Sequence, residues 1–253
     1  MSFNVSADAY ARFMGRFSQP LATLFVEYAG VRAGQRVVDV GCGPGALTAP
    51  LVDRLGADAV AAIDPSAPFV EAARERFPGV DVRDGDAEHL PFADDEFDLA
   101  LAQLVVHFMT DPVAGLREMG RVTRPGGTIA ACVWDHGVDG RGPLSTFWQA
   151  VRETDPEVPD ESGLPGSREG HLAELCEAAG LTDVEDSVLT VTLPIATFDD
   201  WWEPYTLGVG PAGAHVAKLD DAGRQDLRDR CAALLPVAPF EVAASAWAVR
   251  ARP

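Results

Sequence analysis

Val37-Val38-Asp39-Val40-Gly41-Cys42-Gly43-Pro44-Gly45 is the stretch from which the rest of this sequence is read. An apolar run enters a glycine-rich bend, and a helix-compatible stretch, Ala46 to Val52, leaves it. The run suits a strand buried on both faces of a parallel sheet. Glycine turns the backbone sharply and keeps side chains away, so a ligand can approach the main chain closely. In an open α/β sheet such a ligand sits beyond the carboxyl end of the strand, near the amino end of a helix. A cofactor site built from Asp39, Gly41, Cys42, Gly43 and Gly45 is predicted here.

The spacing and the acid narrow the ligand. A dinucleotide fingerprint runs G-x-G-x-x-G, whereas this bend is Gly41-x-Gly43-x-Gly45 with Asp39 two residues ahead of it. A carboxylate so placed repels a pyrophosphate and favours a cation. The bend resembles motif I of the class I S-adenosylmethionine-dependent methyltransferases, whose cofactor carries a sulfonium and an ammonium group. A tight glycine turn without a ligand would also explain these residues taken alone, so two further signals matter.

The first is Asp64-Pro65-Ser66. Asp64 lies about 20 residues beyond the bend, where an acid can accept from both ribose hydroxyls. That spacing is common to nucleotide and S-adenosylmethionine folds and does not choose between them. The second is Gly85-Asp86-Ala87-Glu88-His89-Leu90-Pro91-Phe92, which resembles the adenine-binding loop of the same methyltransferases. The resemblance implies that Asp86 accepts from the adenine amino group, that the Ala87 amide reaches a ring nitrogen, and that Glu88 belongs to the site. His89 is placed on the outer side of this loop. Leu116-Arg117-Glu118-Met119-x-Arg121-Val122-x-Arg124-Pro125-Gly126-Gly127 also follows the family's wording; its proline and glycines are helix-stop and turn residues.

Elements fall in order around these motifs. Helices are predicted over Gln19–Tyr28, Phe69–Arg76 (capped by Ser66 or its neighbours), Asp111–Val122, His171–Ala179 and Asp220–Leu235. Strands are predicted over Val37–Val40, Asp58–Ile63, Val80–Val82, Phe97–Val106, Thr128–Trp134, Val184–Ile195 and Phe240–Arg250. Asp135 to Gly166 reads as a long connection. The pattern gives an α/β, Rossmann-like three-layer sandwich, a seven-stranded mostly parallel sheet ending in an antiparallel hairpin. A single domain spans 1–253, with an N-terminal helical cap over 1–30 and a helical lid over 196–238 between the last two strands.

Gln103 lies on the fourth strand, which runs into the cofactor cleft. In many small-molecule methyltransferases a segment before the first strand closes over the cofactor, and Tyr10 with Met14-Gly15-Arg16 resembles it. The resemblance implies that Arg16 pairs with the cofactor's carboxylate; a solvated arginine is the other reading. His107, just past the fourth strand, is the candidate base, or else a packed or substrate-shaping histidine. His136 is a second candidate. Trp134, Trp202 and Tyr205 are candidate walls of an apolar substrate pocket, although any one such residue is more often core than pocket.

The chain has 253 residues, 47% of them apolar and 23% charged, which is ordinary for a globular protein. Its formal charge of −19, without a compact basic cluster, disfavours a phosphate backbone as partner and is otherwise a solubility feature. No apolar run is long enough to span a membrane, and the first residues do not form a secretory signal, so a cytoplasmic protein is expected. Cys42, Cys132, Cys176 and Cys231 form no metal or disulfide pattern. The expected activity is methyl transfer from S-adenosylmethionine to a small-molecule O, N or C nucleophile, by a monomer or homodimer. A non-enzymatic S-adenosylmethionine-binding regulator and a nicotinamide-dependent oxidoreductase are the rivals.

Overall fold

The computed structural model describes residues 11–253. A π-helical turn (Ala11–Gly15) runs into α1 (Arg16–Ala29). There follow β1 (Val37–Val40), α2 (Thr48–Leu55), β2 (Val60–Asp64), α3 (Ala67–Arg76), β3 (Asp81–Asp84) and β4 (Phe97–Gln103). Next come α4 (Pro112–Val122), β5 (Thr123–Trp134), α5 (Ser145–Arg152), α6 (His171–Ala178) and β6 (Thr182–Ile195). Helices α7 (Phe198–Trp202), α8 (Gly210–Lys218) and α9 (Asp221–Leu234) lead to β7 (Phe240–Arg252).

One seven-stranded sheet has the order β3-β2-β1-β4-β5-β7-β6. The first five strands pair in parallel; β7 runs antiparallel to both β5 and β6. The Rossmann-like layout expected from the sequence is therefore the one formed. After β1 the chain builds outward through β2 and β3, then returns to place β4 on the other side. That reversal opens a crevice at the carboxyl ends of β1 and β4, where doubly wound sheets bind ligands.

Period-two alternation splits the sheet's side chains between two layers. Val37, Leu99, Leu101, Ala130 and Cys132 pack with Leu21, Phe25 and Val26 of α1 and Leu51 of α2. Val38, Val40, Ala100, Ala102, Ile129 and Ala131 pack with Leu116 and Met119 of α4 and Leu172 and Cys176 of α6. A third apolar cluster joins Phe147 and Trp148 of α5 to Trp201 and Trp202 of α7, Tyr205, and Leu227 and Cys231 of α9. No helix among the described residues is long and apolar enough to cross a membrane.

Four local expectations change. Arg124-Pro125-Gly126-Gly127 lies within the start of β5: Thr123 already pairs with Phe97, and the register shifts before Leu99 meets Thr128. Gly126 there has φ 78°, so the turn residues make an irregularity in the ladder and leave the strand running. The connection after Trp134 contains α5, whose Phe147, Trp148 and Val151 are buried. Ser66 holds the N-cap position of α3 without a side-chain cap bond, whereas Asp111 caps α4 by accepting from the Ala114 amide at 2.9 Å. Strand β4 ends at Gln103, and Val106–Phe108 forms a 3-10 turn.

Candidate active site

The β1–α2 bend and the ends of β2 and β4 enclose a cavity of about 630 Å³, within the range of small-molecule sites. The bend is fixed by the Gly41 and Cys42 amides, which donate to the Ile63 carbonyl at 2.8 and 3.0 Å. Gly41 has φ 72°, and a β-carbon there would stand 2.4 Å from a Val105 methyl. Gly45, at φ 90°, would meet the Phe77 ring at 2.2 Å. Both positions therefore require glycine, for conformation and for space.

Two buried carboxyls face this cavity. Asp39 accepts from the Thr48 hydroxyl at 2.6 Å; burial pushes its carboxyl up to about 7 against that hydrogen bond, and Asp64's charge adds to the rise. Asp64 accepts from the Gly43 and Ser66 amides, each at 2.8 Å, and burial raises its pKa despite them. Gln103 donates from Nε2 to the Ser18 carbonyl at 2.9 Å. Its Oε1 and the Ser18 hydroxyl are buried without partners, and both residues line the cavity. Buried polar atoms are nearly always paired, so unpaired ones at a cavity wall mark a place for a polar ligand. None of the described lining residues is basic. Two carboxyls and a free amide oxygen fit a ligand with ammonium, sulfonium and hydroxyl groups; a pyrophosphate would meet only repulsion.

A smaller cavity, of about 60 Å³, adjoins the first, and Leu104 and Phe108 line both. Leu104 takes φ 62°, a left-handed conformation unfavourable for a leucine, and its amide donates to the Cys132 carbonyl at 2.8 Å. The other walls include His107, Trp134, His136, Leu144, Glu161 and Val209. Burial holds His107 well below the usual histidine range, with His136 contributing, and lowers His136 to about 4. Both imidazoles are thus neutral at pH 7, with ring centres 6.0 Å apart.

A family model described as a methyltransferase domain matches residues 38–131, the segment that supplies the lining of the larger cavity apart from Ser18. A demethylmenaquinone methyltransferase of Paenarthrobacter aurescens is 30% identical over 179 residues, 64% of this chain and 68% of that protein. The chain belongs to the class I S-adenosylmethionine-dependent methyltransferases. The demethylmenaquinone methyltransferase of Renibacterium salmoninarum is 34% identical over 61% of this chain, which spans 64% of the length of that relative. Among solved structures, the YcgJ protein of Bacillus subtilis shares the fold at TM-score 0.60, with 22% identity, covering 92% of this methyltransferase and 99% of that chain.

The residues read from the sequence divide between the cavities and their supports. Asp39, Gly41, Cys42, Gly43, Asp64, Pro65, Ser66 and Gln103 line the larger cavity. Gly45 shapes the bend from behind. Tyr10 lies outside the described residues. Arg16 is absent from the lining and donates to the Asp200 carbonyl at 2.6 Å, tying α1 to α7. Asp86 is exposed and pairs with the His89 ring at 2.9 Å. Ala87 packs its methyl in the core, and Glu88 accepts from the Thr110 and Asp111 amides at 2.7 and 3.1 Å. Glu88 thus acts as a clamp between this loop and the approach to α4.

Of the proposed substrate walls, Trp134 and His107 border the smaller cavity, whereas Trp202 and Tyr205 do not. Those two are buried in the third apolar cluster, where Tyr205 stacks on Phe147 with centroids 4.6 Å apart. Sequence reasoning missed Glu161 and Ser18, each isolated from any motif. It also missed the Glu118–Arg121 pair of α4, which anchors the Asp86 loop. Glu118 accepts from the Leu90 amide, and Arg121 donates to the Leu90 and Phe92 carbonyls. Their spacing of three on a helix was the available signal.

Proposed function

We propose that this protein is a small-molecule methyltransferase that uses S-adenosylmethionine in the larger cavity and takes its acceptor in the smaller one. The observation that carries this reading is the wall chemistry of the larger cavity: two buried carboxyls, an unpaired Gln103 oxygen and no basic group among the described lining residues. When bound, S-adenosylmethionine supplies an electrophilic methyl on a positively charged sulfur that departs as a neutral thioether. The chain's own part is to hold, align and exclude water.

In this reading Asp39 and the Gln103 oxygen receive the cofactor's positive groups, and Asp64 receives its ribose hydroxyls while keeping the Gly43 and Ser66 amides in place. Asp86 and Ala87 hold the adenine, which requires Asp86 to leave His89. Leu104 and Phe108 stand between cofactor and acceptor, where an in-line approach to the methyl is set. His107 is neutral, and its Nδ1 is buried without a partner. It accepts a hydrogen bond from an O–H nucleophile and orients it; its depressed pKa makes it a weak proton acceptor. Of the cap read over 1–30, the described residues 11–30 act as that cap, and 196–238 act as a lid over the acceptor side.

Calorimetry with S-adenosylmethionine, S-adenosylhomocysteine and NADH tests the proposal. Micromolar binding of the first two without NADH is expected; NADH binding alone would overturn it. Turnover of any acceptor removes the regulatory alternative. His107→Ala should lower kcat with cofactor affinity unchanged, and unaltered kcat would strike His107 from the mechanism.

A further inference from the structure

We infer that Glu161 is the polar anchor of the acceptor subsite, selecting neutral, largely apolar acceptors that present a hydroxyl group; this rests on the methyl-transfer reading above. Glu161 lies in the turn between α5 and α6, is only 6% exposed, and lines the smaller cavity. Its Oε2 is buried without a hydrogen-bond partner. The Trp148 indole N–H stands near enough to favour the ionised form, yet it makes no bond of acceptable geometry.

The turn around this acid is firmly built. Its neighbour Asp160 accepts from Arg152 at 2.6 Å and from the Ser162 hydroxyl and amide at 2.5 and 2.9 Å. The Ser167 hydroxyl bonds back to the Ser162 and Leu164 carbonyls, and the Leu164 amide donates to the Glu161 carbonyl. Arg152, Ser162 and Ser167 are thus committed to Asp160 or to the backbone, while the Glu161 carboxyl borders a mainly apolar cavity. An unpaired buried acid costs stability, so its presence calls for a partner that arrives from outside.

That partner's chemistry follows from the walls. Leu104, Leu144, Val209 and Ala212 are apolar. The buried polar atoms left open near Glu161 are the Trp148 indole N–H and, on the cavity wall itself, His107 Nδ1 and the Trp134 indole N–H. Burial raises the Glu161 carboxyl to about 7, so near neutrality it can either donate to or accept from a hydroxyl. An anionic acceptor would be repelled by the carboxyl, and an ammonium, which only donates, would leave the Trp134 indole N–H unpaired, whereas a hydroxyl both donates and accepts. At about 60 Å³ the cavity holds no more than about two waters, so an acceptor must displace part of its wall to enter.

The test uses the full chain saturated with S-adenosylhomocysteine, and titrates 4-propylphenol and 4-propylbenzylamine into wild type, Glu161→Leu and Glu161→Gln. The phenol should bind wild type at least about tenfold more tightly than the amine, and Glu161→Leu should weaken it by about tenfold. Glu161→Gln, nearly isosteric and still hydrogen-bonding, should lose less. S-adenosylhomocysteine affinity should stay within about twofold throughout, and Glu161→Leu should melt no lower than wild type, because an unpaired acid has been removed. Equal phenol affinity in wild type and both variants, preference for the amine, or binding of neither compound by wild type would overturn the proposal. Failure of wild type to bind S-adenosylhomocysteine would instead refute the methyl-transfer reading itself.

Discussion

Asp39 offers the sharpest test of how the cofactor cavity is built. The carboxyl is 1% exposed, and the Thr48 hydroxyl is the side chain that donates to it. Burial raises its pKa from 3.8 to about 7. The folded state therefore keeps a proton that the unfolded chain has already released, and stability falls as pH rises through roughly 4 to 7 and is flat above that window. At about 1.4 kcal/mol per pKa unit, ionising this group costs the fold about 4 kcal/mol, of which about 2 kcal/mol falls between pH 5.5 and 8. Asp39→Asn keeps the volume and can still accept from Thr48 through its amide oxygen, but it cannot ionise. Urea denaturation of wild type and Asp39→Asn across pH 5.5 to 8 should show the variant gaining about 2 kcal/mol relative to wild type over that range. The same variant should bind S-adenosylmethionine more weakly at pH 8, because the buried negative charge that favours a cation is gone. Parallel stability curves would refute the burial argument, and undiminished cofactor affinity would refute the functional one.

Asp64→Ala strands the Gly43 and Ser66 amides. Calorimetry with S-adenosylhomocysteine should show a loss of about 1–3 kcal/mol, with a lowered melting temperature, and wild-type affinity in a folded variant would dismiss Asp64 as a ligand. Gly41→Ala forces a left-handed alanine against Val105, at about 1–2 kcal/mol for the conformation and a similar amount for the overlap. A denaturation midpoint unchanged from wild type would contradict that. Trp202→Ala should destabilise the fold by about 3–5 kcal/mol as a core truncation, while acceptor KM in the surviving folded protein stays put. A selective rise in KM would restore Trp202 to the substrate wall.

The centre of the sheet was legible because β1 and β2 are short apolar runs closed by Gly41 and by Asp64-Pro65, and burial in a parallel sheet makes such runs conspicuous. What resisted reading was the segment from 135 to 166. Its Gly and Pro content masks α5, whose buried face is set by Phe147, Trp148 and Val151 packing on residues from α7 to α9. Eight residues give too few turns for periodicity to stand out against that composition. The Arg124–Gly127 turn misled in the opposite sense: helix-stop residues were present, and the strand had already begun at Thr123 because Phe97 offered it a partner.

The two halves of the site differ in legibility for a physical reason. The proposed cofactor half is made from backbone turned by glycine and from carboxyls that hold neighbouring amides, as Asp64 holds Gly43 and Ser66. Such contacts are local, demand particular residue types, and leave motifs. The proposed acceptor half is assembled from side chains of Leu104, Trp134, Leu144, Glu161 and Val209, on separate segments drawn from two apolar clusters, Leu104 and Trp134 from that of α1 and Leu144 and Val209 from the third. No spacing rule links them, and tryptophans equally suited to core and pocket divide only in three dimensions: Trp134 reaches the cavity and Trp202 is spent on packing. Asp39 and Glu161 nonetheless share one signature. Each is a carboxyl raised to about 7 by burial at a cavity wall. Each destabilises the fold when ionised, and a ligand that satisfies the group recovers part of that cost. The pH dependence of Asp39→Asn stability and the melting of Glu161→Leu thus probe the same proposition from the two ends of one site.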